Sequence, residues 1–228
     1  ITRRCNLACP VCFADAGSAA GDPSLSEIGG YLGNLLAVTG MPIPIQISGG
    51  EPTLREDLPD IIALAGKVGF SHIDLVTNGV RIAETPDILF RLKKAGLTAI
   101  YLQFDGLRKE TQEAIRGQDL RQVRHRALAG IRKAGLCCAL AVTVVPGIND
   151  DEIGEIIRFG IENIDLVRAI NFQAAVRFSG RFHVDAPGGG YSLSELLHLI
   201  EAQSGIPADS FISEHLGHPE CNGMSLIT

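Results

Sequence analysis

The chain alternates short apolar runs rich in Val and Ile with longer stretches in which apolar residues recur every three or four positions. The first pattern reads as strand and the second as amphipathic helix. Six strands are predicted, at Ile1 to Arg4, Pro44 to Ser48, His72 to Thr77, Ala99 to Asp105, Cys138 to Val145 and Leu166 to Gln173. Helical patterns lie between them, at Leu25 to Val38, Leu58 to Val68, Asp87 to Lys94, Leu120 to Lys133 and Asp151 to Glu162. Their ends carry the expected signals: Ser24 or Ser26 opens the first, Pro59 sits in the first turn of the second, and Gly69, Gly96 and Gly135 follow three of them. A strand that returns parallel to its predecessor needs a crossover of a dozen or more residues, which these helices supply.

A closed eight-unit barrel ordinarily takes about 250 residues, and about six units fit here. The pattern therefore predicts an α/β fold, a partial TIM-like (βα)6 barrel of parallel strands with a C-terminal extension. The barrel core is expected over 1–183. A loop from Asp185 to Gly190, a helix from Ser192 to Gln203 and a tail make up the extension over 184–228. Most strands end in a polar or glycine-bearing turn: Ser48-Gly49-Gly50-Glu51, Thr77-Asn78-Gly79, Asp105-Gly106, Pro146-Gly147-Ile148-Asn149 and Gln173. Ligands of α/β folds bind beyond the carboxyl ends of parallel strands, so the active site is expected along this rim.

Composition narrows the function classes. With 228 residues, 46% of them hydrophobic, the chain can bury a sizeable core. Its 20 Lys and Arg against 26 Asp and Glu leave a net charge of -6, which argues against binding nucleic acid by phosphate neutralisation. No run of about 18 apolar residues is present, so an integral membrane protein is not expected, and the opening segment lacks the pattern of a signal peptide. A chain that opens at Ile1 without an initiator methionine reads as part of a longer protein. The basic stretch Arg116, Arg121, Arg124, Arg126, Arg132 and Lys133 reads as a solvated helical face.

The cysteines change the picture. They stand at positions 5, 9, 12, 137, 138 and 221, half of them within eight residues. Such clustering points to a metal site in a reducing compartment, hence the cytoplasm, rather than to a disulfide framework. Cys137 and Cys138 straddle the start of the fifth strand, where one faces the core as a small hydrophobe. Cys5, Cys9 and Cys12 form a CxxxCxxC spacing directly after the first predicted strand. Three thiolates of one short loop suit three corners of a [4Fe-4S] cubane, leaving one iron without a protein ligand. A structural zinc site and a cluster of inert thiols are the other readings of the spacing.

A second motif follows the second strand: Gly49-Gly50-Glu51-Pro52. The pair of motifs resembles the radical S-adenosylmethionine (SAM) superfamily over nearly all of residues 1–173. The resemblance implies a [4Fe-4S] cluster on Cys5, Cys9 and Cys12, with SAM chelating the open iron through its amine and carboxylate. It implies that Gly49, Gly50, Glu51 and Pro52 bind the SAM amine, since paired glycines permit close approach and a carboxylate offsets an ammonium. It also implies that Thr77, Asn78, Gln103 and Asp105 face the SAM ribose or carboxylate. Asn171 and Gln173 would complete the SAM wall or touch substrate, and Phe13 would lie against adenine. Where the family often has an aromatic residue before the third cysteine, this chain has Val11.

Further strings narrow the likeness. Cys9-Pro10-Val11-Cys12-Phe13-Ala14-Asp15-Ala16-Gly17, Tyr101-Leu102-Gln103-Phe104-Asp105-Gly106, Asn171-Phe172-Gln173, Phe178-Ser179-Gly180-Arg181 and His218-Pro219-Glu220-Cys221 are similar to the subgroup that holds tetraether lipid synthase and the dihydropterin methylase. That likeness implies reductive cleavage of SAM to a 5'-deoxyadenosyl radical, hydrogen abstraction from an unactivated C–H bond, and carbon–carbon coupling or methylation. It implies a small-molecule or lipid substrate and an electron donor such as ferredoxin or flavodoxin. Cys221 would be a first ligand of an auxiliary [4Fe-4S] cluster. A zinc-binding or electron-transfer iron–sulfur module without SAM chemistry is the alternative.

Overall fold

The computed structural model describes residues 1–17, 21–175, 180–186, 190–212 and 222–225. In chain order its elements are β1 (Val11–Cys12), α1 (Leu25–Thr39), β2 (Ile45–Ile47), α2 (Leu58–Val68), β3 (Ile73–Thr77), α3 (Val80–Glu84), α4 (Ile88–Ala95), β4 (Ala99–Gln103), α5 (Lys109–Arg116), α6 (Arg121–Lys133), β5 (Cys137–Val144), α7 (Ile153–Glu162), β6 (Val167–Ala174), β7 (Arg181–Phe182) and α8 (Leu193–Ser204). Strands β2 to β6 form one parallel sheet in sequential order, each pair joined through at least one helix. Val11 and Cys12 of β1 pair antiparallel with Phe182 and Arg181 of β7, apart from that sheet.

The helix ends follow from their capping chemistry. Ser24 accepts a bond from the Glu27 amide and the Glu27 carboxylate accepts one from the Ser24 amide at 2.7 Å, and Ser192 with Glu195 repeats the arrangement before α8. Gly96 ends α4 with φ +115°, in the region that favours glycine. Strand alternation then divides the sheet into two faces. Ile73, Leu75, Ile100, Leu102, Leu140, Val142 and Val144 pack into the core with Leu58, Ile61, Ile62, Leu89, Leu92, Ile131 and Ile156 of the helices. Phe104 and Phe159 stack at a centroid separation of 5.1 Å, seating α7 against the exit of β4. The opposite face carries Tyr101, Gln103, Thr143, Asn171 and Gln173, none of them buried. Parallel sheets are normally covered on both faces, so this polar face marks a cavity with a purpose.

Helices α3 and α5 and the β1–β7 pair are additional to the predicted elements, and two predicted strands differ from expectation. Ile1 to Arg4 is not a strand; its Thr2 and Arg4 carbonyls accept bonds from Gly50 and Glu51 amides at 2.8 Å each, so it lies along the turn beyond β2 rather than along a ladder. The parallel sheet therefore has five strands instead of six. β4 stops at Gln103 because Asp105 adopts φ +66°, which ends extended pairing.

Packing at the helices supplies a paired test. A Cβ added at Gly154 of α7 would lie 2.5 Å from the Gln203 carbonyl of α8, whereas nothing lies within 4 Å of one added at exposed Gly66 of α2. Urea unfolding of Gly154→Ala should show a loss of about 1–3 kcal/mol. Gly66→Ala should gain about 0.4–1 kcal/mol.

Candidate active site

The cysteine loop is fixed from three directions. Cys12 lies in the β1–β7 pair, the Pro10 carbonyl accepts from the His183 amide at 2.9 Å, and the Val11 carbonyl accepts from Arg116 Nη1 at 3.0 Å. Loop carbonyls that would otherwise be stranded below the rim are thereby satisfied. Gly180 is required here, because a Cβ would lie 2.0 Å from the Cys12 carbonyl. Cys5, Cys9 and Cys12 all line one cavity of about 490 Å³ at the carboxyl end of the sheet. Around them pack Leu7, Val80, Leu120 and Val123. Burial pushes the Cys5 thiol up, and the neighbouring Glu51, Cys9 and Cys12 push it further.

The Gly49-Gly50 turn lines the same cavity. The glycines are needed first by the chain itself: an added Cβ would lie 2.3 Å from the Thr2 carbonyl at position 49 and 2.2 Å from the Arg4 carbonyl at position 50. Glu51 does not face the cavity. Its carboxylate is fully buried and accepts from Thr53 Oγ1 at 2.6 Å, the Thr53 amide at 3.1 Å, Thr77 Oγ1 at 2.8 Å and the Asn78 amide at 2.7 Å. Burial pushes this carboxyl up and the donors limit the rise. The carboxylate does not line the cavity, which corrects the expectation of a direct contact with a ligand amine: Oε1 accepts three of these bonds and Oε2 one, and together they tie the β2 turn to the β3 turn. Pro52 is buried at the start of the short turn Pro52–Leu54 and also stays out of the cavity wall.

Asp105 likewise turns inward. Its carboxylate receives Arg116 Nε at 2.6 Å and Nη2 at 2.7 Å, Gln103 Nε2 at 2.6 Å and the Thr143 amide at 3.1 Å. Burial alone would raise it; the Arg116 and Arg124 charges and these bonds hold it below the ordinary range. The reading of Asp105 as a ligand-facing group is thus corrected, and so is that of Arg116 and Arg124 as solvated. Arg116 is 8% and Arg124 3% exposed. Arg124 Nη1 donates to the Asn78 carbonyl, while its buried Nε and Nη2 have no partner among the described residues. Desolvation lowers Arg124 to about 10.

Among the other expected residues, Thr77, Asn78, Gln103 and Gln173 line the cavity, and Phe13 stands at its edge, 74% exposed. Asn78 Nδ2 lies 4.0 Å from Cys5 Sγ. Asn171 is exposed beside the wall and donates to the Tyr101 hydroxyl. Cys138 faces the core, as expected of one of the pair, and burial pushes its thiol up to about 12. Cys221, His218 and the Phe178-Ser179 string lie outside the described residues. Sequence reasoning missed Tyr101, Thr143 and Arg181, which also line the cavity. A signal existed for Arg124: it falls on the apolar stripe Leu120, Ala127, Leu128 and Ile131.

The model of the radical SAM superfamily matches residues 1–160. The chain belongs to the radical SAM superfamily. A 7,8-dihydro-6-hydroxymethylpterin dimethyltransferase of Methanocaldococcus jannaschii is 40% identical to it over 210 residues, 90% of this chain and 41% of that protein. A GTP 3',8-cyclase of Stenotrophomonas maltophilia is 30% identical over 98% of this chain and 68% of its own length. Among solved structures, SuiB of Streptococcus suis bound to S-adenosylmethionine superposes with a TM-score of 0.67 at 20% identity, over 88% of this chain and 44% of SuiB, which shows the shared fold. The chain thus spans less than half of the dimethyltransferase it matches.

The residues present fit the superfamily's cofactors. Cys5, Cys9 and Cys12 of one short loop line one cavity, and three thiolates are the donor set of a cubane with one thiolate per iron. The orphaned Arg124 donors lie on the helix that packs against the cysteine loop, and anionic sulfur is the acceptor chemistry they would take. No helix among the described residues is long and apolar enough to cross a membrane.

The Asp105–Arg116 pair gives a pH test. A depressed folded value means that Asp105 stabilises the fold fully above the ordinary Asp value of about 3.9, and that this is lost as pH falls through the folded value. At pH 7, Asp105→Asn should cost about 3–5 kcal/mol in denaturant unfolding. Its deficit relative to wild type should shrink as pH falls toward 3, with Glu51 acting equally in both proteins. A deficit that stays constant would show that the charge of Asp105 is not what Arg116 needs.

Proposed function

We propose that this chain is the radical-generating part of an enzyme that installs a methyl group at an unactivated C–H bond of a small nitrogen heterocycle. One observation carries the radical assignment: Cys5, Cys9, Cys12 and the Gly49-Gly50 turn line a single cavity at the carboxyl end of a parallel sheet. The methyl-transfer assignment is supported by the 40% identity to the pterin dimethyltransferase. When bound, a [4Fe-4S] cluster and SAM together supply the electron and the hydrogen-abstracting 5'-deoxyadenosyl radical.

The chain's own residues hold and orient. Cys5, Cys9 and Cys12 serve as cluster thiolates in an apolar surround that restricts water. The Ser48–Gly50 backbone and Asn78 offer polar groups to the methionine end of SAM, positioned by Glu51 from beneath. Phe13 offers an exposed ring to adenine, and Gln103 presents its carbonyl oxygen after its amide has bonded Asp105. An external one-electron donor of the flavodoxin or ferredoxin type supplies reducing equivalents.

The test is direct. Full-length protein reconstituted anaerobically with iron and sulfide should bind about four irons at this site. With dithionite and SAM it should release 5'-deoxyadenosine. Cys12→Ala should abolish that release, and a variant that still forms it defeats the assignment.

A further inference from the structure

The inner face of the sheet contains a side-chain contact between β4 and β6. On β5 the residues Ala139, Ala141 and Thr143 alternate with core-facing Cys138, Leu140, Val142 and Val144. Ala139 pairs with Tyr101 of β4, Ala141 with Asn171 of β6, and Thr143 with Gln173. Because the intervening side chains of β5 are methyl groups, Tyr101 reaches across it to the far strand. Its hydroxyl oxygen accepts from Asn171 Nδ2 and from Gln173 Nε2, the latter at 3.1 Å. These side chains from two non-adjacent strands fix one another above a shallow floor.

The donor and acceptor count decides what they present. With its oxygen accepting twice, the Tyr101 hydroxyl keeps its proton to give, and desolvation pushes its pKa up, so it stays neutral. Asn171 Oδ1 and Gln173 Oε1 have no donor among the described residues. The trio thus offers a donor flanked by acceptors, all uncharged. The only cations of the cavity wall among the described residues are Arg116, bound to Asp105, and Arg181, bound to Asp15. A triphosphate needs several free cationic donors, and among the described residues the wall offers none.

We propose that Tyr101, Asn171 and Gln173 are the specificity-determining substrate contact, and that they read the donor–acceptor edge of a flat, uncharged nitrogen heterocycle in preference to a nucleoside triphosphate. The proposal rests on the reading that the cavity is the radical SAM site and adds which of its residues choose the substrate. A preorganised polar edge rejects ligands that leave it unpaired, which is how such a site gains selectivity.

Binding to the full-length, cluster-loaded protein with SAM present tests it, using 6-hydroxymethylpterin and GTP as probes in fluorescence and calorimetric titrations. Wild type should bind the pterin more tightly than GTP. Tyr101→Phe and Gln173→Leu should each weaken the pterin about tenfold. Both variants should keep the wild-type circular dichroism and the wild-type SAM titration, so that loss of fold or of the cofactor wall is distinguished. Tighter binding of GTP, equal pterin binding by the variants, or SAM affinity falling in step with pterin affinity would each overturn the assignment. A wild-type protein that releases 5'-deoxyadenosine yet binds no pterin would also overturn it while leaving the radical chemistry standing. One that releases none would instead bring down the functional reading beneath it.

Discussion

Asp105 and Arg116 meet in the interior through bonds of 2.6 and 2.7 Å, and the parts of the site are hung on that meeting. Burying a charged pair is costly unless its remaining hydrogen-bonding positions are filled. Here they are filled by the site's own scaffold: the Thr143 amide of β5 and the Gln103 amide of β4 bind Asp105, and the Val11 carbonyl between two cysteines binds Arg116. Asn149 completes the arrangement by donating to the Asp105 carbonyl at 2.7 Å. The backbone at Asp105 is left-handed, φ +66°, a conformation that Asp tolerates better than most residues at a cost of about 1–2 kcal/mol. That twist ends β4 and turns the carboxylate down toward α5 instead of up toward the cavity. Burial opposes the charge on Arg116, but Asp105 outweighs it and holds the guanidinium protonated.

From this anchor follows the division of labour across the sheet. One face is apolar and closed by helices, and the stability of the domain resides there. The other face has polar residues on β4 and β6 with two alanines between, a poor surface for packing and a good one for a ligand. The cysteine loop crosses the carboxyl end of this open face, tied to α5 by Arg116 and to β7 by the Val11–Phe182 and Cys12–Arg181 pairing. The rim and the floor are thus joined in one scaffold through β4 and β5. On the floor, Tyr101, Asn171 and Gln173 bond one another, whereas Gln103 and Thr143 bond the Asp105–Arg116 pair that holds the cysteine loop.

Much of this was legible before any coordinates. The strand and helix alternation, the Ser24 cap and the glycines ending α2 and α4 are local signals, and the structure realises them within a residue or two. The cysteine spacing and glycine turn pointed to one rim, and they do share a cavity. What escaped was polar and buried. Helix α5 turns Thr111, Gln112, Ile115 and Arg116 inward, so its buried side has almost no apolar periodicity to detect. Ile1 to Arg4 has the composition of a strand, but its hydrogen bonds go to a turn. Arg124 could have been suspected from its place in an apolar stripe, although the stripe does not say what its donors meet.

The carboxylates show why a motif's residue types are easier to read than their roles. A Glu after paired glycines, next to a proposed ammonium ligand, invites the idea of an ion pair. In this chain Glu51 instead receives four donors from Thr53, Thr77 and Asn78, and joins the exit of β2 to the exit of β3. A group so engaged would have to surrender bonds to reach into the cavity, and each buried donor left behind would cost about 1–3 kcal/mol. The cavity-lining part of the turn is Ser48, Gly49 and Gly50, with glycines that also make room for Thr2 and Arg4. The acidic residue acts one layer below, keeping two strand ends at a fixed separation. By the same logic, the side chains of Tyr101 and Gln173, which face the cavity and make no bond to Asp105 or Arg116, are where ligand specificity can change without dismantling the rim, whereas Gln103 is tied to Asp105.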